Sequence, residues 1–187
     1  GQTAIKTAKV IEEAKGGVLF IDEAYSLANS EKEDSFSKEC LDTICECLSN
    51  YKDDLMVIIA GYEKELKDCF FAYNSGLESR FTWRFNTDNY NAKELNQIFH
   101  KKVFDIGWSF SEDVKDKWFE NKMDYFKYFG RDIETLLAKT KICHSRRVFC
   151  KDDSFKRKIN IKDLDNGFKK FIQNEEVKNR KNTTVYP

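Results

Sequence analysis

The architecture follows from six residues, Val18-Leu19-Phe20-Ile21-Asp22-Glu23, in which four apolar side chains end abruptly in two acids. An unbroken apolar run of this length is typical of a strand covered on both faces, as in a parallel sheet packed between helices. A second run, Leu55-Met56-Val57-Ile58-Ile59-Ala60, is closed by Gly61, and apolar residues recur at helical spacing over 36–48 between the two runs. This order predicts a strand, a helix and a second strand joined by a right-handed parallel crossover.

The sequence on either side extends this α/β part. Apolar residues recur every three positions over 5–14 and are followed by Gly16-Gly17, which predicts a helix with a glycine C-cap. The stretch Phe81-Thr82-Trp83-Arg84-Phe85 predicts a third, edge strand. Beyond it the apolar residues follow helical spacing alone. We therefore predict an α/β part over 1–89, a helical part over 91–176 and a flexible tail over 177–187.

Composition limits the kinds of partner. The chain has 187 residues with 32 basic and 32 acidic side chains, so no net charge attracts it to nucleic acid or to an anionic membrane. No apolar run approaches the roughly 20 residues that span a bilayer, and the first residues do not resemble a signal peptide. The six cysteines lie mostly among apolar residues and are expected to be reduced. We expect a soluble, intracellular protein, most simply cytoplasmic, with no membrane partner.

The acids at the end of the first strand are the best candidates for chemistry. Open parallel sheets place ligand sites outside the carboxyl ends of their strands, and Asp22 and Glu23 follow directly after one such end. Successive strand side chains point to opposite sides, so one acid could hold a hard cation while the other orients or deprotonates water. Four apolar residues followed by Asp-Glu form the Walker B pattern of nucleotide hydrolases. The alternative is a strand that simply runs into a solvated acidic turn.

Further segments resemble AAA+ ATPases of the CbxX/CfqX type. The resemblance is carried by Gly1-Gln2-Thr3-Ala4, by 16–27 around the two acids, by 53–55 and 60–62, by 76–81, and more weakly by Gly130-Arg131-Asp132-Ile133. It covers roughly residues 1–140. The resemblance implies the C-terminal portion of a AAA+ parallel-sheet nucleotide-binding core followed by a small all-helical lid, in agreement with the division made above.

The resemblance also implies roles for individual residues. Asp22 takes the position of the Walker B acid that acts on Mg²⁺, and Glu23 that of the group activating the attacking water. Arg80 falls where the family supplies an arginine finger to the ATP of the neighbouring subunit, and a planar, permanently charged guanidinium suits that task. The alternative for Arg80 is a surface arginine near Glu78.

Two further residues are candidates for nucleotide contact. Arg131 takes the position of the sensor 2 arginine, through which the lid contacts the γ-phosphate; alternatively, it is a first-turn surface residue paired with Asp132. The sensor 1 position, usually polar, reads Ala60-Gly61-Tyr62 here. Tyr62 could donate a hydrogen bond there, or it could be an ordinary core or loop aromatic residue.

One element of the family pattern does not occur among these 187 residues. The chain contains no G-x-x-x-x-G-K-[ST], the loop that cradles phosphates and supplies a lysine. Because the chain begins without Met on what reads as a helix, we expect a piece of a longer ATPase rather than a degenerate member. We expect this polypeptide alone to bind and hydrolyse ATP poorly.

Three functions remain in competition. The resemblance implies a AAA+ ATPase that uses ATP and Mg²⁺ in a ring, most simply a hexamer, to remodel or thread a client protein. A catalytically silent interaction module with the same fold is the second. An ATPase acting on nucleic acid is the third, and it would need the basic stretch over 141–158 to form a continuous surface, although Asp152 and Asp153 interrupt it.

Overall fold

The structure, a computed structural model, describes residues 2–28 and 35–180 and divides into two compact units, 1–86 and 87–187. The elements of the first unit are α1 (Gln2–Ala14), β1 (Gly17–Ile21), a 3-10 helix (Ala24–Ala28), α2 (Ser35–Asn50), β2 (Leu55–Ile59), α3 (Glu63–Glu65), a π-helix that continues it (Leu66–Phe71) and α4 (Ser75–Arg80). Those of the second unit are α5 (Ala92–Asp105), β3 (Ser109–Phe110), α6 (Asp116–Glu120), a 3-10 helix (Met123–Tyr125), α7 (Gly130–Val148), a 3-10 helix (Asp153–Phe155), β4 (Lys158–Ile159), α8 (Ile161–Phe171) and α9 (Glu175–Arg180).

The parallel strand pair predicted from the two apolar runs is confirmed. β1 and β2 pair in parallel from Gly17 opposite Leu55 to Ile21 opposite Ile59, and α2 connects them. The predicted glycine C-cap of α1 is also present, because Gly16, just beyond the end of the helix, has φ +75°. Its N–H donates to the Asp54 carbonyl at 2.7 Å. This hydrogen bond ties the end of the first helix to the start of β2.

The sheet is covered on one face only, which corrects the expectation of two covered faces. Ile21 and Ile59 pack against a core of buried residues from the 24–28 turn, α2, the π-helix and α4. Every second strand residue points the other way, and none of the described elements of the first unit covers that face. The exposed fractions are 57% for Val18, 59% for Phe20, 61% for Met56 and 44% for Ile58. An apolar patch of this kind favours association.

Removing this patch is expected to reduce self-association of the 187-residue chain. In Phe20→Thr/Ile58→Thr, a β-branched polar residue keeps strand propensity while the apolar area is lost, so the melting temperature should change little. Ile21→Thr on the covered face is the control and should destabilise the chain by about 1–3 kcal/mol. Sedimentation velocity and thermal melts measure both effects. Equal losses of melting temperature in the two variants would contradict an uncovered face.

The segment 81–91 is irregular, so the prediction of an edge strand over 81–85 is wrong. Among the described residues both strands of the two-stranded sheet keep a free edge, but the segment adds to neither, and Phe81 packs into the core of the unit against Phe70 and Phe71, with ring centroids 5.9 and 6.0 Å apart. Trp83 and Phe85 instead stack on each other in solvent, with ring centroids 6.5 Å apart. Arg84 between them donates to Glu78 Oε1 at 2.8 Å and so ties the segment to α4.

The second unit is built mainly of helices around a large aromatic and aliphatic core. It is not entirely helical as expected, because the two-residue strands β3 and β4 pair in parallel. Side-chain capping boxes start two of its helices: Asn91 with Glu94 for α5, and Asn160 with Asp163 for α8. Within residues 2–28 and 35–180, no helix has the length and apolar character needed to cross a membrane.

The predicted start of the flexible tail over 177–187 is too early in the chain. Residues up to Arg180 belong to α9, where Val177 is buried in the core of the second unit and Arg180 forms a buried ion pair with Asp132. These two contacts hold a segment whose polar composition alone suggested fraying. Residues 181–187 lie outside the described part of the chain.

Candidate active site

The carboxyl ends of β1 and β2 are held together by backbone hydrogen bonds. The Ala60 N–H donates to the Ile21 carbonyl at 2.9 Å, and the Ala24 N–H donates to the Ala60 carbonyl at 3.0 Å. Residues that follow either strand therefore lie at one edge of the sheet. Asp22 and Glu23 follow the first strand, and Tyr62 follows the second.

Glu23 has a strained backbone conformation. Its φ is +52°, in the left-handed region that non-glycine residues rarely adopt, and the Ser26 N–H holds its carbonyl at 2.8 Å. Such strain costs on the order of 1–3 kcal/mol and concentrates at functional sites. The strand ends at Ile21 and the two acids lie in a sharp turn, so strand alternation does not set their directions, which corrects that part of the sequence argument.

The Asp22 carboxylate is oriented by a neighbouring backbone N–H. Its Oδ1 accepts a hydrogen bond from the Glu23 N–H at 3.0 Å, and both acids are exposed. Within the described residues neither acid forms an ion pair, and no three side chains of the metal-ligating types cluster closely enough to hold a metal ion. Mg²⁺ commonly binds through one or two carboxylates together with phosphates and waters. Asp22 therefore fits a Mg²⁺ shared with a phosphate ligand and does not fit an all-protein cage.

Tyr62 lies beside the same edge through its contact with Tyr25, whose ring centroid is 6.3 Å away. Gly61 permits this approach, because a Cβ at this position would lie 2.9 Å from Cδ1 of Tyr25. Tyr62 is 57% exposed and so is not a core residue. Its position beside the acids is compatible with contact to a ligand bound there.

Arg80 is exposed at the end of α4 and is held within its own unit. Its Nε and Nη2 donate to Ser49 Oγ at 3.0 and 2.8 Å, and its Nη1 donates to the Gly76 carbonyl at 2.7 Å. The expected alternative partner, Glu78, binds Arg84 instead. The structure therefore does not bring Arg80 to Asp22 or Glu23. Any role at a phosphate requires it to exchange its bonds to Ser49 and Gly76 for bonds to that phosphate.

Arg131 belongs to the second unit, where it is exposed in the first turn of α7. The alternative of a local pair with Asp132 is wrong, because Asp132 accepts from Arg180 at 2.8 Å. Sequence reasoning missed both Arg180 and Ser49. Each contacts a partner more than 30 residues away in the sequence, and no local sequence pattern indicates such a contact.

Comparisons with known proteins show which family the chain is similar to. The family described as "ATPase family associated with various cellular activities (AAA)" matches residues 1–86. A cfxQ-like protein of Acanthamoeba polyphaga mimivirus is 44% identical over 191 aligned positions, which cover 100% of this chain and 47% of that protein. Protein CfxQ of Xanthobacter flavus is 38% identical over 153 positions, covering 80% of this chain and 48% of that protein.

A solved structure supports the fold. The AAA domain of FIGL-1 in complex with ADP superposes with a TM-score of 0.66 at 18% identity, covering 91% of this chain and 57% of that one. The fold is thus that of a AAA domain. The chain belongs to the AAA+ ATPase family and is of the CbxX/CfqX type. It spans about half the length of the two curated relatives named above.

Proposed function

We propose that the whole protein hydrolyses ATP in a ring of subunits and uses the energy to remodel or thread a client protein. The observation that carries this proposal is the pair Asp22 and Glu23, two exposed acids at the joined carboxyl ends of β1 and β2 that form no ion pair with any described residue. The family membership and the resemblance described above support ATP as the nucleotide. The hexameric ring and the client segment are extensions of the same resemblance.

The roles of the residues follow from the demands of phosphoryl transfer. ATP bound with Mg²⁺ supplies a phosphoryl group whose transfer to water builds negative charge on the phosphoryl oxygens. Asp22 would contribute a carboxylate oxygen to the metal, and Glu23 would orient a water and accept its proton.

The two arginines would neutralise developing charge. Arg80 is the proposed arginine finger to the nucleotide of an adjoining subunit, and Arg131 is the proposed sensor for the γ-phosphate. Tyr62, at the edge that carries the acids, is proposed to contact the nucleotide through its exposed side chain. These roles are proposed for the full-length protein, in which the nucleotide site is complete.

Mg²⁺-dependent stabilisation tests the proposed metal role of Asp22. A ligand that binds only the native state raises the melting temperature, so Mg-ATP should stabilise the full-length protein more than ATP with EDTA. Asp22→Asn should lose most of this Mg²⁺-dependent increment, because the amide is a weaker ligand for a hard cation. Asp53→Asn, an exposed acid elsewhere in the unit, is the matched control and should keep the increment.

An absence of any nucleotide-dependent shift in the full-length protein would contradict the proposal. It would favour the catalytically silent interaction module. The nucleic-acid alternative receives less support, because Arg147 of the basic stretch binds Asp163 at 2.7 Å and Lys156 pairs with Asp153. Arg147 and Lys156 are therefore already paired with acids and contribute less to a continuous basic surface.

A further inference from the structure

The last helix of the described chain is anchored by a buried ion pair. Arg180 of α9 donates from Nη1 to Asp132 Oδ2 at 2.8 Å, and the two side chains are only 8% and 6% exposed. The same Nη1 also donates to the Tyr125 carbonyl at 2.8 Å. The pair spans 48 residues of sequence and joins α9 to the first turn of α7.

Asp132 in turn holds the loop that leads into α7. Its Oδ2 also accepts from the Tyr128 N–H at 2.7 Å, and the Arg180 guanidinium lies over the Tyr128 ring, 4.8 Å from the centroid. Between Tyr128 and Asp132 the chain passes through Phe129, whose φ of +39° is unusual for a non-glycine residue. A conformation of this kind persists only when surrounding contacts enforce it.

Charge balance makes the clamp sensitive to either partner. Burial alone would lower the pKa of Arg180, but its hydrogen bonds to Asp132 and Glu176 outweigh burial and raise it, so the guanidinium stays charged. Removing it would leave Asp132 as a buried carboxylate without a cation, which is strongly unfavourable. The loop is the element that would yield, since it contains the strained residue.

We propose that Arg180 is a positioning residue that sets the direction of Arg131 by holding Asp132. Consecutive helical residues are about 100° apart, so fixing Asp132 toward the core directs Arg131 outward. Arg131 is exposed and has no ion pair among the described residues, which leaves its guanidinium available. This inference rests on the proposed function, in which Arg131 contacts the γ-phosphate. Helix α9 thereby controls, through Asp132, a nucleotide contact made by Arg131 and not by α9 itself.

Hydrogen exchange in the full-length protein tests the clamp without reference to activity. Arg180→Met keeps the aliphatic stem but removes the charge, and amides of 128–133 should exchange about tenfold faster or more, while those of α8 stay unchanged. Glu176→Gln is the matched control, because it removes the negative charge of the exposed partner that the same guanidinium contacts at 3.1 Å and spares Asp132. Unchanged exchange at 128–133 in Arg180→Met, or equal acceleration in Glu176→Gln, would overturn the inference.

A double-mutant cycle then tests whether the clamp acts through Arg131. Arg180→Met alone should lower kcat/KM for ATP by about threefold or more, and should cause no further loss in an Arg131→Ala background. A loss of the same size in both backgrounds would show an effect through the general stability of the unit and would overturn the positioning role. If Arg131→Ala leaves hydrolysis unchanged, the proposed sensor role fails and this inference fails with it. The exchange data would still show whether the clamp exists, so the two failures are distinguishable.

Discussion

Glu23→Gln is expected to lower the rate of ATP hydrolysis by the full-length protein about a hundredfold or more. The amide cannot accept a proton from water, but it has the size of the carboxylate and should preserve the turn at φ +52°. Nucleotide affinity should therefore stay nearly unchanged. Steady-state phosphate release and equilibrium binding of a fluorescent ATP analogue measure the two effects.

Glu13→Gln provides the matched control for this variant. Glu13 is an exposed glutamate of α1 that pairs weakly with Lys9 at 3.9 Å, so the same chemical change there should leave hydrolysis near the parental rate. Parental turnover in Glu23→Gln would show that the second acid of the pair does not activate water. A parallel loss of nucleotide affinity would assign it to binding instead.

Arg80→Ala is expected to suppress hydrolysis about a hundredfold or more while allowing ATP to bind. Mixing this variant with Glu23→Gln should restore part of the activity, because a mixed interface can combine an intact Glu23 with an intact Arg80 from the neighbouring subunit. Activity as a function of mixing ratio measures the effect. An arginine that acts only within its own chain would give no recovery at any ratio.

Ser49→Ala separates the local bonds of Arg80 from its proposed role across the interface. The Ser49 hydroxyl accepts two hydrogen bonds from Arg80, and both are exposed to solvent. If these bonds only hold the guanidinium while it is not bound to a phosphate, Ser49→Ala should leave hydrolysis within about threefold of the parental rate. A loss as large as that of Arg80→Ala would mean that Arg80 serves the fold of α4 and α2.

Local patterns predicted the parts of the structure that depend on local physics. The apolar runs over 18–21 and 55–60 predicted the parallel strand pair, although only one face of it is covered, and the Gly16 cap of α1 needs only one glycine with positive φ. The capping box at Asn160 and Asp163 was readable from their spacing as well, although it was not among the predictions.

Features that depend on distant partners could not be predicted in this way. Whether Phe20 is covered depends on which other segments lie against the sheet, and its own sequence carries no information on that. The edge strand predicted over 81–85 failed for the same reason, since packing of Phe81 against Phe70 and Phe71, rather than local β propensity, fixes the start of this segment.

The contacts of the candidate residues likewise depend on partners that are distant in the sequence. Arg80 bonds to Ser49 across 31 residues, and Asp132 bonds to Arg180 across 48 rather than to its neighbour Arg131. The positions of Asp22 and Glu23 were predictable because they immediately follow a strand. The strained φ of Glu23 was not, because it arises from hydrogen bonds between the ends of two strands.

The most direct test of the Asp22 and Glu23 site is the chemical state of the bound nucleotide. Full-length Glu23→Gln would be loaded with radiolabelled Mg-ATP, separated from free nucleotide and quenched in acid at successive times. We expect the bound label to remain ATP over many parental turnover times, because binding is intact and water activation is lost. Conversion of the bound label to ADP at the parental rate would contradict the assignment of this strand end as the hydrolytic site.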